Sequence, residues 1–246
     1  MATPSEPEIR ILHTPQDLFQ AAASEFAALT AAAIGDQGKF TVALSGGSTP
    51  KSLYSVLAKA ALPWEKIFFF WGDERHVPPD HPESNYRMAS EALLSKVPVP
   101  PGNIFRIRAE EKDATVAAQD YELTLRSFFH LRAGEFPRFD LILLGLGPDG
   151  HTASLFPNTA ALTETKRLVV ANSLEKLKTD RITLTYPVLN NAACVIFLVS
   201  GRDKSDMVRT VLEDKSANLP SQKIQTANGK LLWLLDQDAA SKLSKK

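Results

Sequence analysis

The feature that most constrains the fold is an end-to-end alternation of short apolar runs with segments of helical periodicity. The runs predicted as strands are EIRIL, KFTVAL, KIFFFW, NIFRI, FDLILLGL, RLVVA, RITLT, ACVIFLVS and KLLWLL. Several are apolar on both faces, which is typical of central strands in a parallel sheet covered by helices. The alternation predicts a single-domain α/β fold over residues 1–246, with a Rossmann-like, doubly wound, mostly parallel sheet and helices on both faces.

Capping signals predict where the helices begin. Thr14 before Pro15 predicts a long, alanine-rich helix that runs to Gly35. Further helix starts are predicted at Ser48 or Thr49 before Pro50, at Ser84 or Asn85, at Asp113 with an end near Leu131, and at Asp203.

The charge balance argues against large polyanionic partners. Lys+Arg and Asp+Glu each number 28, so the net charge is zero, whereas binders of nucleic acids or anionic membranes usually carry a basic excess. We therefore expect no nucleic-acid and no membrane partner, and any anionic ligand must be held by a few local cations. The single cysteine, Cys194, lies in the apolar run AACVIFLV, which predicts a buried thiol in a reducing compartment.

The N-terminal stretch MATPSEPEIRILHTP has acids and prolines before any apolar run, unlike a secretory or mitochondrial targeting segment. Nowhere do about 18 apolar residues follow one another, so no membrane span is expected. The sequence thus predicts a cytoplasmic protein.

Ligands of doubly wound sheets gather in the loops that follow the carboxyl ends of strands. The first such loop is SGGSTP, in which Gly46 and Gly47 let the backbone approach a ligand, and Ser48 and Thr49 supply hydroxyl donors at a helix start. It lacks the ending of a nucleotide-binding P-loop. Phosphate binding and a tight turn that caps a helix both remain open for this loop.

The second loop, WGDERH, places charged residues directly after a buried strand, which is costly unless they face a polar site. Asp73 and Arg75 are candidate ligand-binding residues, although an ion pair of Arg75 with Asp73 or Glu74 is the structural alternative. A metal cluster of His76, Asp80 and His81 matches no standard ligand spacing.

The third loop, LGLGPDGH, contains the glycine spacing of a dinucleotide-binding loop at Gly145, Gly147 and Gly150. A carboxylate inside the loop would repel a pyrophosphate, and Pro157 leaves little room for the helix that should bind it. His151 is instead the candidate general base, because histidine titrates near neutral pH. Asp149 is positioned to orient or polarise it.

Two more cations, Arg181 in DRITLT and Lys204 in SGRDK, are predicted near a strand end or a helix start. Such residues are usually solvated. Together with Arg75 they could supply the local positive charge that a phosphate needs in a neutral protein.

Five segments, in this order, resemble the 6-phosphogluconolactonase family: ALSGGSTPKSLY, WGDERHVPPDHPESNYRMA, FDLILLGLGPDGHTASLFP, DRITLTYPVLN and FLVSGRDK. They span Ala43 to Lys204. The resemblance implies hydrolysis of 6-phosphoglucono-δ-lactone to 6-phosphogluconate in the oxidative pentose phosphate pathway. It implies a sugar-phosphate lactone as the small-molecule partner and no metal or organic cofactor; we expect a monomer or weak homo-oligomer.

The related glucosamine-6-phosphate deaminases are the main alternative. Their loop resembles GHIAFNEP, with a glutamate where this chain has Phe156, and a tyrosine stands where this chain has Arg75. Their reaction would therefore lack an acid here. A non-catalytic sugar-phosphate-binding regulator, the other alternative, would be expected to lack Asp149 or His151. In the favoured hypothesis Arg75, Arg181 and Lys204 bind the phosphate with the Gly46–Thr49 loop, and Asp73 lies near sugar hydroxyls or orients Arg75.

Overall fold

A computed structural model describes residues 6–174 and 179–244. The first five residues, which entered the targeting argument, lie outside this range. The main sheet has six parallel strands in the order β1-β9-β8-β5-β2-β3. These strands are β1 (Glu8–Leu12), β2 (Phe40–Leu44), β3 (Ile67–Trp71), β5 (Leu141–Leu144), β8 (Cys194–Val199) and β9 (Lys230–Asp236). The predicted α/β fold with a mostly parallel sheet is confirmed.

A second, antiparallel sheet has the strand order β4-β7-β6. Its strands are β4 (Asp73–Arg75), β6 (Val169–Leu174) and β7 (Thr179–Leu184). The runs RLVVA and RITLT therefore form strands, as predicted, but outside the parallel sheet. The interpretation of WGDERH as a loop is wrong in part, since Asp73 to Arg75 form β4, and Arg181 lies inside β7 instead of at its end.

Six α-helices connect the strands within the described residues: α1 (Pro15–Gln37), α2 (Ser48–Leu57), α3 (Asn85–Ala92), α4 (Ala114–Phe128), α5 (Tyr186–Asn190) and α6 (Ser205–Glu213). Thr14 caps α1 with a capping box, and Ser84 and Asp113 cap α3 and α4 through their side chains. These starts agree with the sequence signals.

Other boundaries differ from the prediction. Helix α1 passes through Gly35 and ends where Gly38 adopts φ 78° and donates to the Ile34 carbonyl, because a left-handed C-cap stops a helix more firmly than an internal glycine. Helix α2 begins at Ser48, as predicted, but Gly47 is its N-cap and no side-chain hydroxyl caps it. Helix α6 follows a 3-10 turn, so Asp203 does not cap it.

Two further sequence expectations need correction. Helix α4 ends at Phe128 instead of near Leu131, and His130 follows with φ 51°. The run NIFRI forms only an isolated bridge between Ile104 and Phe69, because the chain leaves a 3-10 turn at Pro101–Asn103 and touches β3 briefly.

Helix α1 is the one described helix with the length and composition to cross a membrane. The expectation of no such segment missed it, because its alanines raise the average without an unbroken apolar run. In the structure α1 packs on β9, β1, β2 and α2, and Leu18, Ala22 and Phe26 are buried on one face. This packing is that of a helix covering a sheet.

Two buried tyrosines fix the carboxyl ends of adjacent strands. The Tyr54 hydroxyl accepts from the Ser45 amide at 3.0 Å and donates to the Ser45 carbonyl at 2.8 Å. The Tyr121 hydroxyl bonds the Trp71 amide and carbonyl in the same way, at 2.8 and 3.1 Å. Burial raises the pKa of both phenols. Each hydroxyl thus stays protonated and satisfies backbone groups where β2 and β3 stop pairing.

Candidate active site

The strand order places the polar loops next to one another. Strands β8, β5, β2 and β3 are neighbours in the parallel sheet, and their carboxyl ends lead into SGRDK, GLGPDGH, SGGSTP and GDER. Parallel strands end at a common edge, so the loops predicted from sequence lie along one edge of the sheet. The small antiparallel sheet joins this edge through β4, which follows β3 after Gly72 alone.

The loop after β5 is a tight turn that presents His151. The Gly147 amide donates to the His151 carbonyl at 2.9 Å, and the Gly150 amide donates to the Gly147 carbonyl at 3.1 Å. Gly150 has φ 78°, which few other residues adopt without strain. The Ser221 amide donates to the Gly150 carbonyl at 3.0 Å from a neighbouring 3-10 turn. The chain does not enter a helix directly after His151, so the helix end that binds a dinucleotide pyrophosphate is missing here.

Asp149 and His151 form a close pair. His151 Nδ1 lies 2.5 Å from Asp149 Oδ1, and the His151 amide donates to the same oxygen at 3.2 Å. Partial burial raises the pKa of the Asp149 carboxyl, but hydrogen bonding and attraction to His151 outweigh it, so this pKa lies below its ordinary value. An ionised Asp149 accepts a hydrogen bond from Nδ1–H, which leaves the lone pair on Nε2 available as a base.

The plane of the His151 ring is fixed by its packing. The ring stacks on Phe156 with centroids 4.0 Å apart and an interplanar angle of 26°. On another side, a Cβ added at Gly147 would lie 2.1 Å from ring atoms of His151. Gly147 is therefore required because the imidazole occupies the space of a side chain. No local sequence pattern predicts this contact.

The SGGSTP loop lies against Asn85, the first residue of α3. A Cβ at Gly46 would come within 2.0 Å of the Asn85 side chain, whose amide donates to the Asp73 carbonyl at 3.0 Å. Gly47 has φ 102°. Among the described residues, no hydrogen bond engages the side-chain hydroxyl of Ser48 or Thr49 at the start of α2, and Ser48 is exposed. The free amides and hydroxyls here suit an anion.

Glu74 has a structural role at this edge of the sheet. Its carboxylate accepts from the amides of Arg75, Asn85 and Tyr86 at 2.7–2.8 Å and from the Ser84 hydroxyl at 3.1 Å. Burial raises the pKa of Glu74 although these donors favour the ionised form. Glu74 thereby satisfies the first amides of α3 and attaches that helix to β4.

Arg75 and Arg181 face each other across β4 and β7. Arg75 Nη1 donates to the Glu83 carbonyl at 2.8 Å, and Arg181 Nη1 donates to Thr179 Oγ1 at 3.1 Å. Within residues 6–174 and 179–244 neither guanidinium forms an ion pair, so the alternative of an ion pair from Arg75 to Asp73 or Glu74 is wrong. Burial lowers the pKa of Arg181, and the charge of Arg75 lowers it further. Two opposed cations without an ion pair have the chemistry that suits an anion.

Lys204 stands in the loop after β8. Its ammonium lies 3.8 Å from the Asp203 carboxylate, and its side chain is 27% exposed. Buried Asp236, at the end of β9, holds this loop by accepting from the Gly201 amide at 3.0 Å and from the Ser200 hydroxyl. The structure thus brings Lys204 to the same sheet edge as His151, but it is partly paired, unlike Arg75 and Arg181.

Asp73 is buried, and its carboxylate is held by a residue that sequence analysis did not single out. Ser154 Oγ donates to Asp73 Oδ2 at 2.7 Å, and no hydrogen bond or ion pair joins this carboxylate to Arg75 among the described residues. The role of orienting Arg75 is therefore not supported by a contact. No local pattern marks Ser154; only its place in the loop that carries His151 could have drawn attention to it.

The two histidines of WGDERHVPPDH, His76 and His81, form hydrogen bonds with backbone groups. His76 Nε2 lies 2.6 Å from the Glu111 carbonyl oxygen, and His81 Nδ1 accepts from the Glu83 amide at 3.2 Å. In the part of the chain that the structure describes, no group of three histidine, cysteine or acidic side chains is placed to hold a metal ion.

The family model for glucosamine-6-phosphate isomerases/6-phosphogluconolactonase matches residues 13–233. The chain is 46% identical to a 6-phosphogluconolactonase of Synechocystis sp. over 96% of this chain and 98% of that protein, and 49% identical to one of Nostoc sp. over 86% and 88%. The solved 6-phosphogluconolactonase of Trypanosoma brucei superposes with a TM-score of 0.88 at 32% identity, covering 97% of this chain and 99% of that one. The chain belongs to the glucosamine-6-phosphate isomerase/6-phosphogluconolactonase family.

Proposed function

We propose that this protein hydrolyses 6-phosphoglucono-δ-lactone to 6-phosphogluconate, the second step of the oxidative pentose phosphate pathway. Relatives over nearly the whole chain carry the name 6-phosphogluconolactonase. The observation that carries the proposal is the Asp149–His151 pair, at 2.5 Å, on the same sheet edge as the unpaired Arg75 and Arg181. The Asp149–His151 pair suits proton transfer, and the two arginines suit binding of a phosphate.

In the proposed mechanism, Nε2 of His151 removes a proton from water as the water oxygen attacks the lactone carbonyl carbon. The tetrahedral intermediate then collapses, the bond from that carbon to the ring oxygen breaks, and the imidazolium returns its proton to the leaving oxygen. Asp149 holds Nδ1 protonated and stabilises the imidazolium. Phe156 keeps the ring plane fixed during both proton transfers.

The phosphate lies at the other end of the substrate, bound by Arg75, Arg181 and Lys204 and by the amides and hydroxyls of Gly46 to Thr49. Each charge-assisted hydrogen bond contributes roughly 1.5–3 kcal/mol, so two such bonds favour the phosphorylated lactone over its neutral analogue strongly. Asp73 is proposed to accept a hydrogen bond from a sugar hydroxyl.

Glucosamine-6-phosphate deaminases are the main alternative from sequence, so the reaction is tested against deamination. We would follow 6-phosphoglucono-δ-lactone by NMR with and without the protein, and glucosamine 6-phosphate in parallel. We expect lactone loss well above the uncatalysed rate and no ammonia. Ammonia release without faster lactone loss would establish a deaminase, and binding of both compounds without turnover of either would establish a regulator.

Location and assembly belong to the same proposal. A cytoplasmic protein is consistent with the reducing environment expected for the buried Cys194 thiol, whose pKa burial raises to about 11. We propose that it acts as a monomer or weak homo-oligomer. Size-exclusion chromatography with light scattering across a concentration series tests that assembly state.

A further inference from the structure

One face of the small sheet carries opposite charges that do not pair. Asp73 and Arg75 are two residues apart on β4, so their side chains share a face. In register they lie opposite Thr183 and Arg181 on β7. The charge of buried Asp73 acts to raise the pKa of Arg181, yet within the described ranges Asp73 forms an ion pair with neither arginine. Another contact therefore holds the Asp73 carboxylate away from the two guanidiniums.

Ser154 provides the contact that holds this carboxylate. Its hydroxyl donates to Asp73 Oδ2 at 2.7 Å, and among the described residues it is the one donor to that carboxylate. Ser154 is 1% exposed. A hydrogen bond from a hydroxyl to a buried carboxylate is short and strong, because the acceptor is charged and water does not compete.

Ser154 is itself fixed by its backbone. Its amide donates to Thr183 Oγ1 at 3.2 Å, and its carbonyl accepts from Asn172 Nδ2 at 2.9 Å. Both partners are buried and belong to the same small sheet, in β7 and β6. All three polar groups of Ser154 are therefore engaged. The residue joins the loop that carries His151 to the strands that carry the arginines.

We propose that Ser154 is a positioning residue: its hydroxyl holds the Asp73 carboxylate away from Arg75 and Arg181 and so keeps both guanidiniums free for the substrate phosphate. This inference rests on the proposed function for the identity of the anion. Without the hydroxyl, the carboxylate turns toward the nearest guanidinium, because a buried carboxylate without a donor is costly. Asp73 then competes with the phosphate for the cations.

A double-mutant cycle tests this. Ser154→Ala, Asp73→Asn and the double variant are compared with the parent protein by calorimetric titration with inorganic phosphate and by KM for the lactone. In the protein that retains Asp73, Ser154→Ala is expected to raise the Kd for phosphate and the KM for the lactone about ten-fold each. This factor corresponds to the loss of one hydrogen bond to a charged group. In the protein that carries Asp73→Asn, Ser154→Ala is expected to change neither constant, because a neutral amide has no charge to form an ion pair with arginine.

Thr152→Ala is the matched control. Thr152 is buried in the same turn, and its hydroxyl donates to the Gly145 carbonyl at 2.9 Å instead of to Asp73. Its effect is expected to be the same in both Asp73 backgrounds. An equal effect of Ser154→Ala in both backgrounds would make Ser154 a loop-stabilising residue only and overturn the inference. If Ser154→Ala does not fold, Ser154→Cys carries the cycle with a weaker donor.

The two readouts separate the inference from the function on which it rests. A parent protein that does not hydrolyse the lactone would refute the proposed function, whatever the phosphate titration shows. A parent protein that hydrolyses the lactone, with additive effects of Ser154→Ala and Asp73→Asn on phosphate binding, would refute the inference alone.

Discussion

The turn that carries His151 differs from the sheet face that carries Arg75 and Arg181 in how the polar side chains are paired. In the turn, His151 Nδ1 has a carboxylate at 2.5 Å and the ring has a stacked phenyl neighbour. On the small sheet, the guanidiniums of Arg75 and Arg181 oppose each other, and neither forms an ion pair with a carboxylate among the described residues. A base needs its tautomer and direction set before substrate arrives, whereas an anion site needs unpaired charge. In the proposed function, the first region therefore carries out the proton transfers and the second binds the phosphate.

The largest effect is expected at the turn. His151→Ala removes the base and should lower kcat by roughly 10²–10⁴-fold, the usual cost of losing one general base, while KM for the phosphorylated lactone changes little. Steady-state hydrolysis, corrected for the uncatalysed reaction, measures this. The exposed His13 provides a matched control, and His13→Ala should leave kcat unchanged. An unaltered kcat in His151→Ala would remove this residue from the mechanism.

A second substitution changes the position of the His151 imidazole without removing it. Gly147→Ala places a methyl group 2.1 Å from the His151 ring, so the imidazole must move, and kcat should fall about 10²-fold, since displacements of about 1 Å have this effect. Gly145→Ala is the control, because a Cβ there meets nothing within 4 Å. Phosphate affinity, measured by titration, should be retained in both. Equal kcat values for the two variants would show that ring placement does not limit turnover.

On the recognition side, the change should appear in KM. Arg181→Ala removes one half of the unpaired cation pair and should raise KM for 6-phosphoglucono-δ-lactone by about 10–100-fold, the cost of one charge-assisted hydrogen bond, with a small effect on kcat. Kinetics with Arg202→Ala, at a side chain 79% exposed, provide the comparison and should match the parent. A fall in kcat with KM unchanged would place Arg181 in the chemistry instead.

The smallest effect is expected at Lys204. Its ammonium has Asp203 at 3.8 Å, so part of its charge is already balanced, and Lys204→Ala should raise KM by less than about ten-fold. The same assay at low and high salt measures it, and the increase should shrink as salt screens the charge. An effect larger than that of Arg181→Ala would mean that the unpaired guanidiniums are not the main phosphate ligands.

The sequence located the His151 turn well because its signal is local. The segment GLGPDGH follows β5 directly, and a histidine in such a loop is seldom needed for packing. The arginine face was predicted less well, since β4 has only three residues and shows no periodicity. Arg75 was expected in a loop and Arg181 near a strand end, and their opposition depends on strand pairing between distant segments. The role of Ser154 depends on a contact 81 residues away along the chain, which no local pattern encodes.

One experiment tests the division between the two regions most directly: kcat and KM of His151→Ala and Arg181→Ala, each measured with 6-phosphoglucono-δ-lactone and with unphosphorylated glucono-δ-lactone. The structure predicts that His151→Ala lowers kcat for both lactones by a similar factor, and that Arg181→Ala raises KM for the phosphorylated lactone only. An Arg181→Ala variant that is impaired equally with both lactones, or a fully active His151→Ala variant, would contradict this division.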